Sequence, residues 1–313
     1  MEEFLCSDDT EHPCVRLIQL NLSRLESVFA LTISIRGNKI MFNGPKAGEK
    51  KFRKYLDHLL LAAEKNGHIG ENEMTLSLNM AESGKIDQIQ DHIGQKLSIR
   101  VNGKEVFPKT VNQREYVHAI RDNELVFGIG PAGTGKTFLA IAMALSFLAN
   151  KKNERIVLTR PVVEAGEKLG FLPGDIQQKI NPYLRPLYDA LYFMIGFEKT
   201  TELIEKGIIE IAPLAYMRGR TISGAFIILD EGQNTSNAQM KMLLTRFGEN
   251  SRVVVTADIT QIDLDDPKKS GVFRAIKILK NIPGIGFVHL TTRDIVRHPL
   301  VQKIVEAYEK DEK

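Results

Sequence analysis

Apolar residues follow two rhythms along this chain. Near the N-terminus, LTISIRGNKIMFN from Leu31 to Asn43 alternates apolar and polar positions on either side of Gly37 and Asn38, predicting two short strands joined by a turn. Between Lys50 and Lys65, Phe52, Tyr55, Leu56, Leu59, Leu60 and Ala63 recur at helical spacing, and Gly67 stands where a glycine would end that helix. A polar stretch from His68 to Met74 and a helix-like stretch near Asp87 to Ile93 complete a small α+β unit ending near Pro108. From Gln113 onward, short β-rich runs alternate with helical ones. The runs are LVFGI at 125–129, RIVLT at 155–159, IIEI at 208–211, AFIILD at 225–230, RVVVT at 252–256 and IGFVHL at 285–290. Continuous apolar strands separated by helices predict a mostly parallel sheet covered on both faces, with the loops at the strands' carboxyl ends converging on a ligand.

The first of these strands runs into GIGPAGTGKT, Gly128 to Thr137, and then into a second apolar run beginning at Phe138. A buried strand, a loop of residues that permit close backbone approach, and the free N–H groups of a helix start form a cradle for phosphate. Gly130, Pro131, Ala132, Gly133, Thr134, Gly135, Lys136 and Thr137 match G-x-x-x-x-G-K-[ST], in which the lysine reaches the β- and γ-phosphates and the threonine hydroxyl ligates magnesium. The loop is predicted to bind a nucleoside triphosphate. AFIILDEGQN then delivers Asp230 to the end of a buried strand, with Glu231 next and Gln233 two residues beyond. Asp230 is expected to hold magnesium with Thr137, and Glu231 to orient or deprotonate an attacking water. The plainer alternative is an Asp-Glu pair that only caps a helix. RVVVTADITQID brings Asp258 and Gln261 to another strand end, where the Gln261 amide is placed to sense the γ-phosphate. Thr159 and Arg160 end a third strand, the arginine serving the site, a structural ion pair or a nucleic-acid backbone.

Composition narrows the partners. The 313 residues carry a formal net charge of +3, so any nucleic-acid contact must come from a local patch rather than a basic tail. Lys50, Lys51, Arg53 and Lys54 on the polar face of the predicted helix are such a patch, or simply a solvated face. The first residues, MEEFLCSDDTEHPC, are acidic with no apolar core, and no apolar run approaches a membrane span, which predicts a cytoplasmic protein with no membrane partner. Cys6 and Cys14 are the only cysteines, both in a segment expected to fray, and neither a disulfide nor a metal site is expected of them.

Taken together, GPAGTGKT, LTRPVVEAGEKLGFLPGDIQQKINPYLRPLYDAL, PLAYMRGRT, ILDEGQN with QMKMLLTRFG, DITQIDL, and DIVRHPLV with IVEAYE closely resemble the PhoH-like ATPases over about residues 110 to 310. Gly232 stands where that family usually has alanine, and Ala257 where it usually has glycine. The resemblance implies a RecA-like P-loop core of helicase superfamily 1 type and ATP rather than GTP, in keeping with the lack of an N-K-x-D guanine motif downstream. It also implies that Gln113 in TVNQREY contacts adenine, that the work lies in RNA metabolism, and that an endoribonuclease is a partner by family analogy. ISIRGNKIMFNG resembles the KH-like nucleic-acid-binding domain of some members, without a clear GXXG clamp, and points to single-stranded RNA.

The expected organisation is therefore a tail over 1–20, a KH-like α+β domain over 21–108 and a P-loop ATPase domain over 109–313. A superfamily 1 helicase sets two such cores against each other, and this chain has room for one. An arginine finger would come from a neighbouring copy in a homo-oligomeric ring, with Arg218, Arg220, Arg293 and Arg297 as candidates for that role or for phosphate sensing. Two other readings stand beside an ATPase: a nucleotide-gated RNA-binding switch with slow hydrolysis, and a small-molecule kinase. Glu231 directly after Asp230 argues against the kinase, which must exclude the water this pair invites.

Overall fold

The computed structural model describes residues 2–5, 13–66, 69–89, 98–162, 176–296 and 304. They fall into two units, Met1–Leu97 with Lys109–Val111, and Ser98–Pro108 with Asn112–Lys313.

In the first unit the predicted hairpin is present. Strands β2 (Thr32–Arg36) and β3 (Lys39–Asn43) pair antiparallel with Arg36 opposite Lys39, leaving Gly37 and Asn38 as a two-residue turn. Helix α3 (Lys46–Asn66) buries Phe52, Tyr55, Leu56, Leu59 and Ala63 as its spacing requires. Phe29, Phe42, Phe52 and Tyr55 meet ring to ring at 5.0–6.2 Å. Gly67 lies outside the described residues, as do residues 90–93 of the helix-like stretch expected near Asp87 to Ile93.

Two expectations are corrected here. The described residues of the expected 1–20 tail are folded into the unit: β1 (Glu2–Leu5) pairs with β3, giving the sheet order β1-β3-β2, and α1 (Pro13–Leu20) buries Cys14 and Ile18 completely. Helix α2 (Leu22–Phe29) follows it. The stretch read as polar from His68 opens helix α4 (Glu71–Glu82), whose start is capped by Glu73 Oε2 accepting the Gly70 N–H at 3.1 Å.

The second unit begins earlier than expected, with residues 98–108. They form a small hairpin, β4 (Ile99–Val101) with β5 (Lys104–Val106), closed by Asn102 and Gly103 at φ +47° and +77° as a type I′ turn demands. After α5 (Val111–Asp122), all six predicted strands appear: β6 (Leu125–Ile129), β7 (Arg155–Arg160), β8 (Ile209–Pro213), β9 (Ala225–Leu229), β10 (Arg252–Ala257) and β11 (Ile285–His289). They form one sheet in the order β11-β6-β10-β9-β7-β8, every pair parallel. Every residue of β6 and β9 is buried, because each face is covered. On one side Met240 and Leu243 of α9 (Asn237–Leu244) and Val272 and Ala275 of α10 (Gly271–Leu279) join Phe127, Ile227 and Val255. On the other, Phe147 of α6 (Lys136–Ala149) meets Phe226 edge-on at 5.4 Å. Helices α7 (Ile176–Ile195) and α8 (Phe197–Glu205) join β7 to β8. This is the expected α/β P-loop core. Among the described residues no helix is long and apolar enough to cross a membrane.

Candidate nucleotide site

The site lies at the carboxyl end of this sheet, where the order brings β6, β10, β9 and β7 side by side. Between β6 and α6 the chain turns through Gly133 and Gly135, at φ +80° and +79°, a region closed to most side chains. Gly130 passes so near the backbone of Leu290 that a Cβ there would sit 2.5 Å from its carbonyl oxygen. At Gly128 the missing side chain makes room for the ring of Tyr116, which an added Cβ would approach to 2.6 Å.

The loop is braced from behind. Gln113, buried, donates from Nε2 to the carbonyls of Thr134 (3.1 Å) and Asp294 (3.4 Å). Asn112 Nδ2 donates to Asp294 Oδ2 at 2.8 Å, and the Val296 N–H donates to the Gly133 carbonyl at 3.0 Å. Thr134 is itself fully buried, its hydroxyl donating to the Pro131 carbonyl at 2.8 Å. Lys136 Nζ donates to the carbonyls of Gly130 (2.6 Å) and Pro131 (2.8 Å). Burial lowers the lysine's pKa below its ordinary value, against the opposing pull of Asp258, Glu231 and Asp230.

Facing the loop across a cleft of about 250 Å³ are Glu231, Thr256, Asp258 and Gln261, with Ala132, Lys136 and Thr137 on the loop side. Thr137 Oγ1 donates to Asp230 Oδ1 at 2.5 Å, so the sequence-distant pair proposed to hold a metal is in contact. Thr256 Oγ1 donates to the same oxygen at 2.7 Å, a partner the sequence did not disclose. Glu231 follows in a left-handed conformation at φ +52°, which turns its side chain from the strand toward the cleft. Its carboxylate has two neighbours: Gln233 Nε2 donates to Oε2 at 2.5 Å, and Arg160 Nη2 stands 3.6 Å from Oε1. Arg160 Nη1 is 3.7 Å from Asp230 Oδ2, so one guanidinium spans both acids. Gln233 also donates to the Gln261 carbonyl (3.0 Å) and accepts the Asp258 N–H (2.9 Å), tying Glu231 to the loop after β10.

Two buried polar atoms here lack a hydrogen-bond partner among the described residues: Thr159 Oγ1 and Asp258 Oδ2, whose companion Oδ1 accepts from Thr260. A carboxylate oxygen left unpaired beside a cleft suits a site that water or ligand completes.

The arginine candidates divide. Arg220 is held by a two-pronged pair to Glu210, at 2.5 and 2.7 Å, which keeps that carboxyl below its ordinary pKa. Arg218 and Arg293 are exposed, and Arg297 lies outside the described residues, as do residues 163–175 of the long motif beginning LTRP. In the first unit Lys50 and Lys51 are exposed, whereas Arg53 pairs with Glu2 (3.0 Å) and Lys54 with Asp87. Half of that patch is thus engaged within its own unit. Gln233, Thr256, Asn112 and Asp294 are the site residues that sequence reasoning left without a role. The signal for Thr256 was available, a polar residue directly after the apolar run Val253–Val255 near the carboxyl end of its strand.

Residues 105–309 match the family model described as PhoH-like protein. The chain is 48% identical over 289 residues to a "PhoH-like protein" of Bacillus subtilis, covering 92% of this chain and 91% of that one. It is 47% identical over 292 residues to one of Synechocystis, covering 93% and 89%. With "Protein PhoH" of Escherichia coli K12 the match is 47% over 198 residues, covering 63% of this chain and 56% of the other.

Proposed function

Because the chain belongs to the PhoH-like protein family, we propose that it binds ATP with magnesium and hydrolyses it in the cytoplasm in the service of RNA metabolism. The observation that carries this reading is the 2.5 Å contact between Thr137 and Asp230, with Glu231 beside it on the far wall of the cleft.

The work divides among these residues as follows. The N–H groups from Gly130 to Thr137 receive the phosphates at the start of α6, and Lys136 exchanges its two carbonyl partners for phosphate oxygens. Gln113, assigned to the adenine on the family resemblance, already fixes the loop through Thr134. A hydroxyl and a carboxylate in contact are the oxygen donors a hard cation prefers, and a magnesium ion that takes its other ligands from phosphate and water needs no larger protein cluster. Among the described residues there is no group of three or more His, Cys, Asp or Glu side chains that would form one. When bound, the ion would screen charge on the phosphoryl oxygens, held by Thr137 and Asp230. Glu231 orients the attacking water and accepts its proton, and Gln261 senses the γ-phosphate.

RNA is the proposed partner on the strength of the resemblance, with Lys50, Lys51 and Arg36 as exposed cations of the first unit. A neighbouring copy in a homo-oligomeric ring supplies the finger, and an endoribonuclease is a further partner by family analogy. One observation favours the slower reading, a nucleotide-gated RNA-binding switch: both oxygens of Glu231 already have neighbours.

ATP hydrolysis and nucleotide binding, measured on the parent and two variants, test the reading. Glu231→Gln is expected to keep ATP affinity while hydrolysis falls by about a hundredfold or more, as loss of a general base predicts. Lys136→Ala is expected to lose affinity itself. Parental hydrolysis by the Glu231 variant would remove that residue from the chemistry.

A further inference from the structure

We propose that Arg160 restrains Glu231, keeping it from activating water until the phosphodiester backbone of single-stranded RNA draws the guanidinium away. This rests on the RNA-linked reading above and names the regulation of the same site.

The geometry is asymmetric. Arg160 is the last residue of β7, the neighbour of β9 on the side away from β6 and its phosphate loop. It reaches Glu231 from the β7 side and is not among the residues lining the cleft. Its side chain is 21% exposed, so it is open to an anion approaching the carboxyl edge of the sheet, and its distances of 3.7 and 3.6 Å to Asp230 and Glu231 exceed those of close charge-assisted hydrogen bonds. A guanidinium shared at that range between two acids is attracted to both and locked to neither. Glu231, meanwhile, has its Oε2 engaged by Gln233 at 2.5 Å and its Oε1 facing Arg160. A carboxylate with one oxygen hydrogen-bonded and its charge partly neutralised by a guanidinium is a weaker base toward a water, and of its two neighbours only the arginine carries a charge that phosphate can compete for. RNA phosphates at the end of β7 would offer Arg160 a bidentate alternative and free Oε1. Residues with a purely structural pair elsewhere in this unit look different: Arg220 meets Glu210 at 2.5 and 2.7 Å through both prongs.

The test is steady-state ATP hydrolysis by the full chain at saturating magnesium-ATP and fixed salt, with and without a single-stranded oligoribonucleotide, for the parent, Arg160→Gln and Arg160→Lys. Thermal unfolding and binding of a non-hydrolysable ATP analogue confirm that each variant is folded and loads nucleotide. Arg160→Gln is expected to raise RNA-free kcat about fivefold or more, the scale of a partly exposed ion pair, with KM for ATP little changed and RNA stimulation largely gone. Arg160→Lys, which keeps the charge but not the fork, should fall between. A purely structural role would lower kcat or leave it alone, so an RNA-free kcat in Arg160→Gln at or below the parental value overturns the restraint. If the parent hydrolyses ATP but ignores RNA, the RNA reading fails by itself, and the RNA-free kcat of the variant still decides the restraint. Should Arg160→Gln fail to fold, the same comparison is made with Arg160→Lys, whose unchanged RNA-free kcat would overturn the proposal.

Discussion

Tyr116 is wholly buried, its hydroxyl has no hydrogen-bond partner among the described residues, and burial drives its pKa well above the ordinary tyrosine range. The ring rests where Gly128 has no side chain. Two substitutions of similar size should therefore differ in outcome. Gly128→Ala pushes a methyl into the ring at 2.6 Å, and its neighbour is the body of an aromatic rather than a flexible tip, so stability should fall by about 1–3 kcal/mol in denaturant unfolding. Tyr116→Phe removes a polar atom that pays desolvation without a partner, and should leave the protein within about 1 kcal/mol of the parent or more stable. A marked loss of stability in Tyr116→Phe would show that the hydroxyl has a partner in solution.

Among the elements, the N-terminal segment makes the sharpest prediction. With β1 paired to β3 and Ile18 at 0% exposure, Ile18→Ala should destabilise the first unit by about 2–5 kcal/mol, read as an earlier unfolding transition. A substitution in a loose tail would do nothing. The same comparison shows what the sequence makes legible. The central strands β6, β7, β9 and β10 could be read because strands buried on both faces are continuous apolar runs, and the acids could be read because they end such runs. Helix α4 could not: MTLSLNMA alternates apolar and polar letters, yet Ser77 is fully buried against the Tyr55 hydroxyl at 2.7 Å. Asn79, another polar residue in that run, bonds Arg24 and the Lys109 carbonyl. A polar side chain with a buried partner breaks the rule that polar means outward. The β4-β5 hairpin has the strong Asn-Gly signal, but three-residue strands are too short to show a period. Contacts such as Thr256 with Asp230 and Asn112 with Asp294 join distant positions and leave no local pattern.

For the whole molecule the prediction concerns an arginine from a neighbouring copy, because the second unit is a single P-loop core and Arg220 is already committed to Glu210. If a neighbouring copy provides a finger, the exposed Arg218 and Arg293 are the first to test, followed by Arg297. A Lys136→Ala subunit has an intact finger and a dead loop; an Arg218→Ala or Arg293→Ala subunit has the reverse. Mixing them should recover ATP hydrolysis that neither shows alone, since some interfaces then join a working loop to a working arginine. Full parental activity at dilutions where light scattering detects only monomer would remove the need for a neighbour.

The sheet order has a consequence for how the protein is made. Strand β6, which carries the phosphate loop, is flanked by β10 and β11, so Leu125–Ile129 is paired with Val253–Ala257 on one side and Ile285–His289 on the other. On the ribosome the nucleotide-binding motif emerges long before either flanking strand, and the Leu290 backbone that backs Gly130 comes later still. A nascent chain halted before residue 285 carries every letter of the motif without the cradle. Nucleotide binding should thus be among the last properties to appear during synthesis, and a fluorescent ATP analogue added to stalled chains of increasing length would time its arrival.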